Sequence, residues 1–310
     1  MPVSQRKYHP SQPRSYDNGA HACEPSSASN GRYDAANEAK ANFDDDYNAP
    51  DPRAYYMTLG ALDYQIPTNA KPVFQKVIAA MKRPRAPKIV DVGCSYGVNA
   101  AMLRLDTTFE EMMQRYTQPG VMDQSSAQTI IQDAADFASG AGDDPAAFIG
   151  LDVAGEAAGY ADAVGLIDEA VVANLEEAPP DAEAAAAMAG AGLIITTGAV
   201  GYVGAETFAH IVEAAETPPW VAAFVLRQFP FEDIAGRLRD YGLVTEKLQG
   251  ETFLQRRFRD EEEQEGAIAA LHSAGRDPQG FETDGYYHAE FYLARPAGEI
   301  SGRIGELGLI

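Results

Sequence analysis

The chain has 310 residues, of which 45% are hydrophobic, enough for one large α/β domain or two smaller domains. It carries 24 Lys and Arg against 46 Asp and Glu, which gives a formal net charge of −22. Because phosphate binding needs basic side chains, this balance argues against a nucleic-acid partner. The stretch between Arg115 and Arg227 contains no Lys or Arg and has 17 acidic residues, so it offers a nucleic acid no basic surface.

The composition also argues against a secreted or membrane protein. The first residues, MPVSQRKYHPSQPR, lack the apolar segment of a signal peptide. No apolar run reaches the roughly 18 residues that span a bilayer. Cys23 and Cys94 lie far apart, which fits neither a disulfide framework nor a zinc site. We expect a cytoplasmic protein with no membrane partner and no metal, and the oligomeric state, a homodimer included, stays open.

Three segments are expected along the chain. Residues 1–42 are rich in Ser, Asn, Pro and Gly, which predicts a flexible N-terminal arm. Residues 43–86 predict an N-terminal helical lid with helices over 54–62 and 70–81, interrupted at 64–67. Residues 87–310 are expected to form the main domain.

The main domain opens with a strand over 88–92, a glycine loop and a helix over 98–105. This order is typical of the beginning of a βαβ unit. Residues 107–145 contain two helical patterns, 109–116 and 125–138, with no strand between them. They predict a helical insertion packed over the sheet edge or a ligand cleft.

Strands and helices then alternate. Strands are predicted over 147–152, 170–175, 193–198 and 221–226, and helices over 157–166, 181–188, 205–215 and 231–241. The last part differs, with extended stretches over 244–258 and 286–294, a short helix over 267–274 and an acidic run, 260–263, expected as a solvated loop. The pattern predicts a three-layer α/β sandwich whose seven-stranded sheet is mostly parallel, with an antiparallel end.

The glycine loop can be interpreted in two ways. A dinucleotide site needs G-x-G-x-x-G, but here the run is Asp91-x-Gly93-Cys94-Ser95-Tyr96-Gly97, which lacks one glycine. Asp91 would repel a pyrophosphate and attract a cationic ligand. We expect the glycines to let a ligand approach the backbone, so that Gly97→Val blocks binding without unfolding the protein.

The run Val90–Gly97, VDVGCSYG, resembles the first motif of the class I S-adenosylmethionine-dependent methyltransferases, hydrophobic-D-x-G-C-x-x-G. The resemblance in pattern extends from about Lys88 to Ala294 and implies the Rossmann-like methyltransferase fold, with S-adenosylmethionine as cofactor. It implies that the methionine part of the cofactor is lined by Asp91, Gly93, Cys94, Ser95 and Gly97.

The resemblance also implies an acid at the end of the second strand that binds both ribose hydroxyls, a role suited to a carboxylate. Asp152, followed by Val153, fits this position. The insertion delays this acid beyond the usual spacing of about 20 residues, so Asp123 and Asp133 remain alternatives.

The ends of the next two strands are candidates for contacts with the rest of the cofactor. Asn174 and Leu175, at the end of the third strand, are the candidates for contact with the adenine, and a plain strand-end turn is the alternative. The fourth strand ends at Thr197 and Gly198, which are expected near the transferring methyl group because ligands lie beyond the carboxyl ends of strands.

The acceptor side is less determined. Methyl transfer depends mainly on alignment, so a base is optional. His210 and Tyr202 are our catalytic candidates, and Glu206, His272 and His288 are further candidates for a base, although a lone histidine is more often structural.

Two further sets of side chains have competing interpretations. Alternation sends Gln255 and Arg257 to one face of a strand and Arg256 to the other, so one arginine could bind an acceptor carboxylate; pairing with surface acids is the alternative. The resemblance suggests that a tyrosine such as Tyr64 contacts the methionine end of the cofactor. The alternative is that this tyrosine packs in the core.

The sequence therefore predicts a methyltransferase that moves a methyl group from S-adenosylmethionine to O or N of a small molecule, within an enclosed pocket. A protein-directed methyltransferase remains an alternative because of the base-free stretch. A nicotinamide-dependent oxidoreductase and a cofactor-binding protein without catalysis also remain open.

Overall fold

The computed structural model describes residues 48–83, 85–140 and 146–310. The predicted arm, residues 1–42, lies outside the described residues, as do 43–47 of the predicted lid and 141–145 of the insertion. Within the described ranges, no helix is both long enough and apolar enough to cross a membrane.

The strands are β1 (Lys88–Val92), β2 (Phe148–Asp152), β3 (Glu169–Val172), β4 (Ala191–Thr197), β5 (Trp220–Leu226), β6 (Leu243–Lys247), β7 (Phe253–Arg257) and β8 (Tyr286–Pro296). The helices are α1 (Arg53–Ala61), α2 (Ile66–Ala80), α3 (Val98–Arg104), α4 (Phe109–Tyr116), α5 (Pro119–Met122), α6 (Ser126–Gly140), α7 (Gly155–Ala163), α8 (Ala182–Met188), α9 (Ala205–Ala214), α10 (Glu232–Asp240) and α11 (Glu261–Ser273).

The described strands form one sheet in the order β3-β2-β1-β4-β5-β8-β6, with β7 also paired to β8. Strands β1 to β5 are parallel, and β8 runs antiparallel to β5, β6 and β7. Apolar side chains cover both faces of the sheet in two clusters, one containing Phe208 and Phe231 and the other containing Phe74 and Phe224. The predicted three-layer sandwich with a mostly parallel sheet and an antiparallel end is confirmed.

The predicted extended stretch 244–258 is two strands rather than one. Residues of β6 pair with 292–296 of β8, and residues of β7 pair with 286–289 of the same strand. The connection contains Gly250 at φ +82°, a conformation that other residues adopt with strain. The sheet therefore has eight described strands where the pattern predicts seven, because the 11-residue β8 is long enough to pair with both.

The acidic run 260–263 is not a solvated loop, so this expectation was wrong. Asp260 caps α11, since its side chain accepts a hydrogen bond of 2.9 Å from the backbone N–H of Glu263. Carboxylates are favoured in the first turn of a helix because they offset its unpaired N–H groups and its dipole. The helix consequently begins at Glu261, and Glu263 is buried.

The N-terminal helix α2 begins at Ile66, before the position that the pattern predicts. Pro67 lies in its first turn, where the missing N–H costs nothing, so this proline belongs to the start of the helix and does not mark a break.

The insertion helices α4 and α6 pack with α1, α3 and α7 around an aromatic cluster that includes Tyr55, Tyr56, Tyr116 and Tyr160. The rings of Tyr56 and Tyr116 stack with centroids 4.9 Å apart. Buried Asp133 accepts hydrogen bonds from the hydroxyls of Tyr116 at 3.0 Å and Tyr160 at 2.6 Å. This network fixes the insertion against α7. That these helices act as a lid stays a prediction.

Candidate cofactor site

The site begins where β1 ends, next to β4 in the middle of the sheet. Strand order reverses at this point, with β2 on one side of β1 and β4 on the other, and such a switch point opens a crevice at the carboxyl ends of the strands. The loop 93–97 turns tightly there, with positive φ at Gly93 (+73°), Ser95 (+48°) and Gly97 (+72°). Glycine adopts this conformation without the clash that a Cβ causes.

The two glycines of this loop are also required by packing within the protein. A Cβ on Gly93 would lie 2.7 Å from the Cβ of Ala199, and a Cβ on Gly97 would lie 3.0 Å from the Cβ of Ala161. The protein itself thus occupies the space that we expected a ligand to use. Gly97→Val is therefore expected to strain the fold, and our expectation that it would block binding selectively was wrong.

Asp91 is the most unusual group of the site. Its side chain is fully buried, and Oδ1 accepts a 2.9 Å hydrogen bond from Nδ2 of Asn99. Among the described residues, its other oxygen, Oδ2, has no hydrogen-bond partner. Burial raises the pKa of Asp91 to about 7, with the Asn99 hydrogen bond opposing this shift and the negative charge of Asp152 adding to it. The structure thus contains a buried carboxylate whose charge lacks full compensation.

Asn99 is a site residue that sequence reasoning missed. It lies in the first turn of α3, is 4% exposed, and joins two strand ends because Nδ2 also lies 3.2 Å from Oγ1 of Thr197 on β4. The signal available in the sequence was a polar residue directly after the apolar Val98, at the start of a helix whose first turn faces the strand ends.

Asp152 ends β2 and faces the same loop. One oxygen accepts a 2.7 Å hydrogen bond from the backbone N–H of Ser95, and the other accepts a 3.0 Å bond from Ala154 N–H. Burial raises the pKa of Asp152, and the backbone N–H groups oppose this shift. A carboxylate has about four acceptor positions, so capacity for a diol remains. The competing candidate Asp133 is occupied by Arg115 and two tyrosines, and Asp123 is exposed after α5.

Cys94 and Ser95 differ in what they offer to a ligand. The Cys94 side chain is 1% exposed and packs against β2, where its sulfur would lie 2.8 Å from a Cβ on Gly150. Burial raises the pKa of this thiol. The Ser95 hydroxyl is buried, and no hydrogen-bond partner for it exists in the described parts of the chain. Ser95 therefore offers a free polar group, whereas the thiol of Cys94 has a packing role.

The candidates for adenine contact are placed differently from one another. Val153, directly after Asp152, is 67% exposed, which leaves an apolar surface free at the rim of the site. Asn174 accepts a 3.1 Å hydrogen bond from the backbone N–H of Glu176, so its side chain forms a turn after β3. Leu175 is 2% exposed and belongs to the core. The adenine role of Asn174 and Leu175 stays a prediction.

The end of β4 brings together three of the predicted residues. Thr197 contacts Asn99, and Gly198 follows at φ +82°. Tyr202, which is 49% exposed, lies in the same loop. A Cβ on Gly198 would lie 2.6 Å from Nε2 of Gln255, so the loop after β4 meets the middle of β7 here.

The charges of Arg256 and Asp91 act on the pKa of the Tyr64 hydroxyl in opposite directions, the first lowering it and the second raising it. Burial is the largest cause that raises the pKa of Tyr64 to about 12, and a hydrogen bond with Tyr55 opposes it. The Tyr64 ring meets Phe109 edge-on at 5.1 Å. Tyr64 therefore combines a packing role with a position near the carboxylate, and its cofactor contact stays a prediction.

His210, our candidate base, is on α9, and its Nδ1 lies 2.9 Å from the carbonyl oxygen of Leu175. This bond ties α9 to the turn after β3. His288 contacts Thr252 at 3.2 Å, and burial lowers its pKa, with Arg227 adding to the effect. His272 is exposed on α11. Among the described residues, no hydrogen bond joins any of the three histidines to Gly198, and the catalytic role of His210 stays a prediction.

The two arginines of β7 are both engaged. Arg256 is 5% exposed and forms two hydrogen bonds of 2.9 and 2.6 Å with Glu263. Exposed Arg257 donates to the carbonyl oxygen of Ala61 at 2.7 Å. The ladder with β8 shifts register between Leu254 and Arg257, so Gln255 and Arg256 are both buried, contrary to the simple alternation that we expected.

Two surface cavities of about 400 Å³ lie elsewhere. One is lined by residues of α10 and β6, and the other lies beside Trp220 and Glu299. Neither is lined by the loop after β1. At the switch point two buried polar atoms, Asp91 Oδ2 and Ser95 Oγ, lack partners among the described residues, and we take this crevice as the candidate site. Only one such atom, Thr245 Oγ1, belongs to a residue that lines the first cavity.

No protein-family model matches the sequence, and no curated protein matches it significantly. Solved structures that align with the chain include a TehB-like SAM-dependent methyltransferase from Corynebacterium glutamicum, at 14% identity, TM-score 0.36, covering 71% of this chain and 86% of that one. A putative sarcosine dimethylglycine methyltransferase from Galdieria sulphuraria aligns at 12% identity, TM-score 0.38, covering 74% and 85% respectively. A cyclopropane-fatty-acyl-phospholipid synthase-like protein from Lactobacillus casei aligns at 12% identity, TM-score 0.40, covering 85% and 98%.

At these identities and TM-scores, the likeness does not extend to substrates or residue roles. The strand order, the antiparallel end of the sheet and the loop after β1 are properties of this chain itself. With them, the chain has a Rossmann-like α/β fold, as the resemblance of its first glycine loop implies.

Proposed function

We propose that the chain binds S-adenosylmethionine in the crevice after β1 and transfers its methyl group to a small molecule. The observation that carries this proposal is Asp91, a fully buried carboxylate with one oxygen that no described residue satisfies. A buried acceptor without a partner is costly, and a buried charge more so. A ligand with an ammonium or sulfonium group would offset this cost.

The residues of the crevice fit such a ligand. Asp91 Oδ2 and Ser95 Oγ are buried polar atoms without partners among the described residues, and they lie on one strand end and the loop that follows it. Asp152 keeps acceptor capacity for two ribose hydroxyls while the N–H groups of Ser95 and Ala154 fix its orientation. The exposed side chain of Val153 next to it offers an apolar surface to the base.

When bound, the cofactor would supply a methyl group on its sulfonium. A lone pair of the acceptor atom would form the new bond to this methyl carbon as the S–C bond breaks, and the acceptor proton would pass to water. The protein contributes alignment, which is sufficient for large accelerations when both reactants are fixed. Thr197 and Gly198, joined to the cofactor crevice through Asn99, would position the acceptor.

A small acceptor is favoured over a polymer because the side chains around this point are buried. Ser95 is 6% exposed and Gln255 is 7% exposed. The net charge of −22 disfavours a nucleic acid as the partner. A nicotinamide dinucleotide is disfavoured because Asp91, beside the glycine loop, would face its pyrophosphate.

The experiment is a calorimetric titration of the full chain with S-adenosylhomocysteine and, separately, with NAD⁺. We expect saturable binding of S-adenosylhomocysteine at one site per chain and no binding of NAD⁺. Binding of NAD⁺ alone would contradict the proposal and would support the oxidoreductase.

A further inference from the structure

Gln255 on β7 is a second buried group that lacks a partner. The residue is 7% exposed, and its amide oxygen Oε1 is buried with no hydrogen-bond partner in the part of the chain that the structure describes. Buried polar side chains are usually satisfied, so an orphaned acceptor needs an explanation. Gln255 belongs to none of the groups that contact the cofactor in the proposed function.

Its position is fixed by the backbone around it. The N–H of Gln65, just before α2, donates to the carbonyl oxygen of Gln255 at 2.7 Å, and Asn69 of α2 donates to the carbonyl of Leu254 at 3.0 Å. The N-terminal helix thus holds β7 at the rim of the sheet. The backbone of Gln255 is therefore held in place, and its side chain is buried and not on the surface.

The amide lies over the loop after β4. A Cβ on Gly198 would lie 2.6 Å from Gln255 Nε2, so the amide packs closely against Gly198. Gly198 follows Thr197, which contacts Asn99 and, through it, Asp91. Gln255 consequently lies next to the loop after β4, where Thr197 and Gly198 would position the acceptor in the proposed function.

The charges near Gln255 restrict the kinds of molecule that its amide can bind. Arg256 is paired with Glu263, and the guanidinium of Arg257 donates to a backbone carbonyl, so both cations of β7 are engaged. Asp91 and Asp152 add negative charge to the crevice. An anionic acceptor would meet repulsion without a compensating cation, whereas a neutral molecule with a hydrogen-bond donor would satisfy Oε1.

Aromatic side chains flank the same place. Phe253, two residues before Gln255 on β7, packs edge-on against Phe224 with centroids 4.9 Å apart. Tyr64 directly precedes Gln65 and meets Phe109 edge-on. These rings belong to or pack against the apolar core, so a molecule that binds the amide would be surrounded by apolar side chains, as is typical of a small-molecule site.

We propose that Gln255 selects the methyl acceptor: its amide oxygen accepts a hydrogen bond from the hydroxyl or N–H of a neutral, apolar molecule. This inference rests on the proposed function, because Gly198 marks the acceptor side only if the crevice after β1 holds the cofactor. It replaces the earlier expectation that an arginine of β7 binds an acceptor carboxylate.

The test uses the full chain saturated with S-adenosylhomocysteine and four probes: phenol and aniline as donors, anisole as the matched molecule without a donor, and benzoate as an anion. Affinities are measured by calorimetry for the wild type, Gln255→Leu and Gln249→Leu. Gln249 is exposed in the turn between β6 and β7, so it controls for the same chemical change outside the site.

We expect the wild type and Gln249→Leu to bind phenol or aniline about tenfold more tightly than anisole, and Gln255→Leu to lose this preference. Affinity for S-adenosylhomocysteine is expected to stay within about twofold in Gln255→Leu, which also shows that the variant is folded. A preference retained in Gln255→Leu, tightest binding of benzoate, or no binding of either donor probe would overturn the inference.

A large loss of S-adenosylhomocysteine affinity in Gln255→Leu would also overturn it, because Gln255 would then belong to the cofactor site. The failure of the proposed function is a separate result. It would appear as wild-type protein that does not bind S-adenosylhomocysteine, whatever the probes do.

Discussion

Two buried aspartates show how a structural network differs from a candidate ligand site. Asp133, 2% exposed, lies among the insertion helices and accepts hydrogen bonds from Arg115, Tyr116 and Tyr160. Asp91, 0% exposed, lies at the end of β1 and has one such bond, from Asn99. Both carboxylates are equally buried, but only Asp133 has partners for both oxygens.

The number of hydrogen-bond partners therefore indicates which of the two aspartates can bind a ligand. The Asp133 network is complete, so it stabilises the packing of α4 and α6 and leaves nothing for a ligand to add. The Asp91 environment is incomplete on Oδ2, and the neighbouring Ser95 hydroxyl is likewise without a partner among the described residues. The ligand-free fold is less stable at this point than a fully hydrogen-bonded site would be. This is expected where a residue serves binding and not packing.

The largest expected effect is on stability and comes from the hydrogen-bond network of Asp133, in which both carboxylate oxygens have partners. Asp133→Ala leaves Arg115 and two tyrosine hydroxyls without their shared partner, and we expect the free energy of unfolding to fall by about 3 kcal/mol. Urea unfolding measures this. Asp136→Ala is the control, since Asp136 is an exposed partner of the same arginine and should cost less than about 1 kcal/mol. Equal losses in both variants would contradict the role assigned to Asp133.

The second prediction concerns the ribose. Asp152→Ala should weaken binding of S-adenosylhomocysteine by about 1.5–3 kcal/mol, because charge-assisted hydrogen bonds to the hydroxyls are lost. Calorimetry measures the change. Glu156→Ala removes an exposed acid four residues later and should leave the affinity unchanged. If Asp152→Ala keeps the wild-type affinity, the ribose is bound by a different acid.

The third prediction concerns how the raised pKa of Asp91 makes the stability of the folded protein depend on pH. Its pKa of about 7 in the folded protein lies above the ordinary value of 3.8. The folded state therefore holds the proton more tightly than the unfolded state, so this contribution to stability is full below pH 3.8 and is lost as pH rises towards 7. Asp91→Asn should remove this slope and stabilise the ligand-free protein at pH 8 by about 1–2 kcal/mol.

The measurement for Asp91 is urea unfolding of wild type and Asp91→Asn at pH 5 and pH 8. The difference between the proteins should grow from the lower to the higher pH. A variant that loses stability at pH 8 relative to wild type would show that the buried charge is compensated by groups other than a ligand.

The smallest expected effect tests whether Gly97, in the loop after β1, is required because a side chain there would contact the protein itself. Gly97 and Gly190 share a φ of +72°, but a Cβ would meet Ala161 at 3.0 Å only at Gly97, whereas nothing described lies within 4 Å at Gly190. Both Ala variants should lose about 1 kcal/mol from the backbone, and Gly97→Ala should lose roughly 0.5–1 kcal/mol more. Thermal unfolding compares the two. Equal losses would show that the contact with Ala161 is relieved at no cost.

Most of the sheet could be predicted from the sequence because its strands are short apolar runs bounded by glycine and followed by helices. β1 was predicted at its observed bounds, and β5 within one residue. The division of β6 from β7 was missed because both strands are extended and only Gly250 separates them in pattern. The buried Glu263 was missed because an acidic run looks solvated until the partner Arg256 is brought to it by the fold.

The site could be predicted only in part. Asp91 and Asp152 follow apolar runs, so their positions at strand ends could be inferred from the chain itself. Asn99 and Gln255 depend on contacts across the sheet, between α3 and β4 and between β7 and the loop after β4, which no local pattern encodes. The packing roles of Leu175 and the Cys94 thiol likewise depend on which face of the sheet they meet.

The central claim is that the unpartnered oxygen of Asp91 receives a positively charged group of the cofactor. The most direct measurement is the calorimetric affinity of S-adenosylhomocysteine, whose ammonium group retains that charge, for wild type and Asp91→Asn at pH 8. Our account predicts a loss of at least about tenfold in the variant, although its ligand-free form is more stable. Equal affinity of the two proteins would contradict the account, because the carboxylate would then contribute nothing to binding.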